Sequence, residues 1–219
     1  MNLSKDIWKR TGKDELNKRV YALLIGVFFA WTILLVAFGA KLSYGWGPYF
    51  IYSIFAFIGA IIGIVIYSGS DKPFTSLLGV TVLSGSLGLT IGPLLAYYSS
   101  ETIMKALVMT FGVTIVMSFF GILFPKVIKG AGGLLFVLLS LVLVGYFAQF
   151  ILLLFGFSAY LLPLDYLAAG LFSLYIWYDW GKAISLPATV DNAIDAAGAL
   201  IVDVVNLFLA LLRIFGRRG

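Results

Sequence analysis

Uncharged apolar runs of membrane length recur through this chain, and that recurrence constrains its fold more than any other feature. About 20 consecutive apolar residues are what a helix needs to cross roughly 30 Å of hydrocarbon. Seven segments qualify: 20–39, 49–67, 74–98, 103–124, 134–155, 157–178 and 193–215. The composition agrees, at 62% hydrophobic and 11% charged, against roughly 25% charged in a soluble domain. The expected fold class is therefore all-α, a polytopic membrane protein built as a seven-transmembrane-helix bundle. Residues 20–219 form its single domain, and residues 1–19 a short basic arm.

Each segment has its own punctuation. Tyr44, Trp46 and Tyr49 place an aromatic belt after the first span, and Pro48 starts the second. Gly59 and Gly63 form a small-xxx-small pair that lets another helix approach closely. Ser84, Gly88 and Gly92 stack on one face of the third span, and Pro93 can bend that helix and free a backbone carbonyl. Close packing and a backbone-lined cavity are both open readings there. Gln149 reads as a bond to a neighbouring helix, and Asp165 as an interfacial residue where the sixth span begins.

Fifteen Lys and Arg against ten Asp and Glu give a net charge of +5, concentrated at the two ends of the chain. Counted over alternating loops, ten cations fall on the side of the N-terminus and five on the other. The positive-inside rule then places the N-terminus in the cytoplasm. Arg213, Arg217 and Arg218 fit that rule poorly. Basic flanks beside apolar spans meet anionic headgroups, so the lipid bilayer is the expected partner and nucleic acid is not. The first apolar run lacks a small-residue cleavage site and reads as a retained span.

Histidine and cysteine are absent. That excludes imidazole bases, thiolate chemistry, disulfides and the usual zinc or haem ligands. Proton chemistry near neutral pH must then rest on carboxylates. Two stand inside apolar sequence, Asp179 and Asp203. A charge at the bilayer centre costs about 2.5–3.5 kcal/mol on insertion scales, so it is rarely kept without a partner or a task. On the last helix Asp195, Asp203 and Asn206 share a face, their offsets rotating by about 80° and 300°. A loop over 179–192 is long enough to return that helix antiparallel, with Asp179 and Asp203 in contact. Two such carboxyls would share one proton, as in aspartic protease dyads. The pair can hold a gate shut when protonated and release it when deprotonated. Once charged it can bind a cation. Calcium takes six to eight oxygens, so Asp179, Asp203 and Asn206 suit a transient pathway site and not a tight cage. A plain helix-to-helix hydrogen bond is the structural alternative.

Other seven-span or acidic-dyad classes fail on particular residues. The last span has no lysine for a retinal Schiff base, and a rhomboid-type protease needs a histidine. Tyr178-Asp179 matches half of the intramembrane aspartyl protease motif, but Asp203 follows Ala199-Leu200-Ile201-Val202 and not Gly-x-Gly. The chain is expected not to be an enzyme.

Two stretches carry a family resemblance. Phe172-Ser173-Leu174-Tyr175-Ile176-Trp177-Tyr178-Asp179 is followed, after 23 intervening residues, by Asp203-Val204-Val205-Asn206-Leu207-Phe208 and then Leu211-Leu212-Arg213. With Gly88-Leu89-Thr90-Ile91-Gly92-Pro93, this resembles the BAX inhibitor motif (TMBIM) family. The resemblance implies two three-helix layers around a central C-terminal helix. It also implies a pH-sensitive calcium leak of a prokaryotic inner membrane, gated by Asp179 and Asp203. Calcium is then the transported ion and no cofactor is needed. Family members can latch that pair with an arginine near the cytoplasmic end of the second helix. Here that region is Tyr67-Ser68-Gly69-Ser70-Asp71-Lys72, which makes Lys72 the possible latch cation. Asn206, Asp195 and Pro93 are possible supports of the ion pathway. The alternative implied by the family is a non-transporting protein that modulates a membrane protease or cell-death partner.

Overall fold

The computed structural model describes residues 15–46, 49–156 and 162–216, and these are helical with no strand among them. In chain order the helices are α1 (Lys18–Ser43), α2 (Tyr49–Ser68), α3 (Pro73–Leu95), α4 (Ser100–Leu123) and the short α5 (Pro125–Ile128). A 3-10 turn (Lys129–Ala131) leads to α6 (Gly132–Leu154), α7 (Leu162–Ala183) and α8 (Val190–Gly216). Five helices, α1, α3, α4, α6 and α8, are long and apolar enough to cross a membrane. The described part of α2 adds a shorter apolar helix, Ile54–Ser68. The protein is a polytopic helical membrane protein. Most of the basic arm, Pro48, the expected start of the sixth span at Phe157, and Arg217 and Arg218 lie outside the described residues.

Local chemistry sets the helix ends. The Asn17 side chain accepts from the Arg19 amide at 2.9 Å, so α1 already includes Lys18 and Arg19, which the sequence assigns to the arm. Pro73 opens α3, where a missing N–H is harmless. Ser99 caps α4 by accepting from the Thr102 amide at 3.2 Å, and the Thr189 hydroxyl accepts from the Asn192 amide at 3.1 Å to cap α8. The largest departure from the expected boundaries is at α7. Described from Leu162, it runs on past the expected end at 178 to Ala183, so Asp179 lies inside the helix and the connection to α8 shrinks to 184–189. Asp165 in the first turn of α7 and Lys182 in its last match the helix dipole.

Contacts within the segment read as one bundle cluster into two compact units. The first comprises Met1–Tyr98 and Ala183–Val202, the second Ser99–Lys182 and Asp203–Gly219. In the first, α3 packs against α1 and α2 through glycines. A Cβ on Gly63 would stand 2.7 Å from the Gly79 carbonyl oxygen, and one on Gly88 would stand 3.0 Å from the Ala40 amide. The Ser84, Gly88 and Gly92 stripe is therefore a packing seam, since Gly88 and Gly92 both meet α1 backbone. At its other end α3 holds α8: the Ser76 hydroxyl donates to Asp191 at 2.6 Å.

In the second unit aromatic and small residues pair across helices. Gly121 of α4 accommodates Trp180 of α7, its added Cβ lying 2.8 Å from the Trp177 carbonyl oxygen. Phe120 and Trp177 rings lie 5.6 Å apart. Gly132 at the start of α6 receives the Tyr178 hydroxyl. These contacts fix the rotation of α7 on either side of Asp179.

Candidate functional site

Asp179 on α7 and Asp203 on α8 belong to the second unit, and their carboxyls are hydrogen-bonding neighbours. Asp203 is only 6% exposed, and its Oδ2 is buried without a hydrogen-bond partner among the described residues. A hydrogen bond between two carboxyls requires a proton on one of them, because an ionised carboxylate only accepts. Two carboxyls in contact in a low-dielectric setting do not both ionise easily.

Tyr175, one turn before Asp179, lies within electrostatic reach of both carboxyls. It meets the Tyr178 ring edge-on at a centroid distance of 6.4 Å. Lys182, three residues after Asp179, is the cation whose charge acts on it. Its ammonium also lies 5.8 Å from the centre of the Tyr178 ring. The sequence reading placed Lys182 in a loop. Extending α7 through 183 turns it into an i, i+3 neighbour of the acid, which is the spacing of facing residues.

The remaining candidates divide between the units. Asn206 follows Asp203 by three residues on α8 and is half-buried in the second unit. Asp195, 2% exposed, belongs to the first unit and lies within electrostatic reach of Tyr21, whose hydroxyl donates to the Ala183 carbonyl at 3.1 Å. Pro93 is buried near the end of α3, in the same unit. Lys72 is an exposed residue immediately before α3, also in the first unit.

A second polar cluster lies in the second unit and was not anticipated. Asp165 is 2% exposed, contrary to the expectation of an interfacial residue. Arg213 Nε donates to its Oδ1 at 2.7 Å, and the Tyr146 hydroxyl donates to the same oxygen at 3.0 Å. Arg213 Nη2 donates in turn to the Tyr146 hydroxyl at 2.6 Å, with the guanidinium 4.8 Å from the Tyr146 ring centre. The clasp joins α6, α7 and α8. The available signal was an acid in the first turn of one helix and an arginine in the last turn of the next, which an antiparallel hairpin brings level.

Sequence comparison supplies the wider context. A family model described as "Inhibitor of apoptosis-promoting Bax1" matches residues 14–219. A Helicobacter pylori protein described as uncharacterized is 30% identical over 202 residues, covering 86% of this chain and 83% of its own. The inner membrane protein YbhL of Escherichia coli is 29% identical over 154 residues, 64% of each chain.

Proposed function

From the premise that this chain belongs to the family of inhibitors of apoptosis-promoting Bax1, we propose that it is a pH-regulated calcium leak. The observation that carries the reading is the contact between Asp179 and Asp203. With one shared proton the pair carries a single negative charge, and it ties α7 to α8. When that proton leaves, two like charges in low dielectric repel and the tie is lost. The closed form is then the protonated one, and flux rises with pH.

The ionised pair also supplies the means of passing a cation. Two carboxylates and the Asn206 side chain give fewer oxygens than calcium prefers, which suits brief occupancy. The unpartnered Asp203 oxygen supports this reading, because a buried acceptor left unsatisfied costs about 1–3 kcal/mol. A cation or a proton relieves that cost. Calcium is cargo, and the protein is a non-enzymatic conduit. The inner membrane location of the Escherichia coli relative supports the same membrane for this chain, with a cytoplasmic N-terminus from its loop charges.

The test is reconstitution into liposomes loaded with a calcium-sensitive dye, with flux followed from about pH 6 to 8. Flux that rises with pH and loses this dependence in Asp179→Asn or Asp203→Asn supports the reading. The description of the family favours a second reading, a membrane protein that acts by binding a cell-death or protease partner. It predicts silent liposomes and co-purification of a partner.

A further inference from the structure

A groove of about 530 Å³ runs along one face of α4 in the second unit, apart from the aspartate pair. Glu101, Met104, Lys105, Val108 and Met109 line it, and Phe215 of α8 walls it. Their spacing is that of a single helical face, and its volume lies in the range of about 300–1,000 Å³ typical of small-molecule sites. Its two ends differ in chemistry. Glu101 and Lys105 form an ion pair of 2.6 Å in the first two turns of α4, just past the Ser99 cap. Met104, Val108 and Met109 continue into the apolar part of the helix, Met109 lying about 12 Å along the axis from Glu101. This chain leaves those three uncovered, at 59%, 64% and 49% exposure.

We propose that this groove is a binding site for one phospholipid with a primary-amine zwitterionic headgroup, that is, a phosphatidylethanolamine. The order of charges carries the argument. Such a headgroup presents an ammonium beyond a phosphate, and the groove presents a carboxylate and, one turn further toward its apolar part, an ammonium. The lipid ammonium donates to Glu101, and its phosphate accepts from Lys105. One acyl chain then lies along Met104, Val108 and Met109 against the Phe215 ring. A choline headgroup has no N–H to donate to Glu101. A purely anionic headgroup leaves Glu101 facing negative charge. The ion pair is exposed, with 61% and 76% of the two side chains accessible. The headgroup preference is therefore modest, about fivefold at the upper end of exposed pairs.

The test is native mass spectrometry of the delipidated full-length protein titrated with dioleoyl phosphatidylethanolamine, phosphatidylcholine or phosphatidylglycerol. The expected result is adduct formation about fivefold tighter for the ethanolamine lipid. That preference falls to near unity in Glu101→Gln and in Lys105→Gln. Met104→Trp, which fills the groove and leaves both charges, weakens the ethanolamine adduct. Should a variant fail to fold, the wild-type protein titrated with mono- and dimethylated ethanolamine lipids decides, with affinity dropping as N–H donors are removed. Equal affinity for all three headgroups, preference for the glycerol lipid, or a preference untouched by every variant would overturn the proposal. So would a dimer that Met104→Trp dissolves, because a second copy would then occupy the face.

Discussion

The carboxyl groups of Asp179 and Asp203, contributed by α7 and α8, stand as hydrogen-bonding neighbours inside membrane-length helices. Two carboxyls in contact repel once both are ionised, and this sets the direction of the pH effect in the proposed leak. In that proposal the pair is tied and the conduit closed at low pH, and the α7–α8 tie weakens as pH rises and the proton leaves.

Lys182 is the cation that reaches Asp179. Removing it makes the ionised pair less favourable, so a higher pH is needed to open the tie. Lys182→Gln is expected to move the pH of half-maximal calcium flux upward by about half a unit, or roughly 0.7 kcal/mol. Lys182→Arg is expected to retain the wild-type midpoint. A larger shift in Lys72→Gln than in Lys182→Gln would return the balancing role to Lys72.

Asp165 and Arg213 form a buried ion pair that Tyr146 completes. Losing one partner of a buried pair costs about 3–5 kcal/mol, and Arg213 is one-third exposed, so about 2–3 kcal/mol is expected for Arg213→Met. Thermal unfolding in detergent reads this directly. The double variant Arg213→Met with Asp165→Leu is expected to recover part of the loss, since no charge is then left unpaired. A single variant as stable as wild type would show that the clasp contributes nothing.

Gly79 faces Gly63 across the α2–α3 seam, where an added Cβ would stand 2.8 Å from the Gly63 carbonyl oxygen. Gly79→Leu is expected to destabilise by about 3 kcal/mol, because the backbone that would have to move belongs to both helices. Gly112, with nothing within 4 Å of its added Cβ, is the control. Gly112→Leu is expected to leave the melting temperature nearly unchanged.

Much of this was legible in the sequence, for reasons specific to membranes. Apolar runs of about 20 residues announce helices because lipid accepts no unsatisfied backbone. Asp203 stood out because it interrupts such a run, and Asp179 because it closes one inside otherwise apolar sequence. The extent of α7 was less visible. The apolar run stops at Tyr178, so the hydropathy pattern ended the helix too early and left Asp179 at its edge, whereas α7 runs on to Ala183. The Asp165–Arg213 pair escaped for the opposite reason. Each lies near the end of a run, where a charge costs little and an interfacial position is the default. Only the antiparallel pairing of α7 with α8 brings them level. Lys182 was hidden by the same boundary, since only a helix extending past 179 makes it a neighbour of the acid.

Calcium flux into dye-loaded liposomes, measured across about pH 6 to 8 for wild type, Asp179→Asn and Asp203→Asn, tests the central claim most directly. Wild-type flux is expected to climb with pH and to fall on acidification. In each variant the introduced amide donates to the remaining carboxylate with no shared proton and no like-charge repulsion, so each loses most of that dependence. Wild-type liposomes that pass no calcium at any pH, or variants whose profile matches wild type, would contradict it.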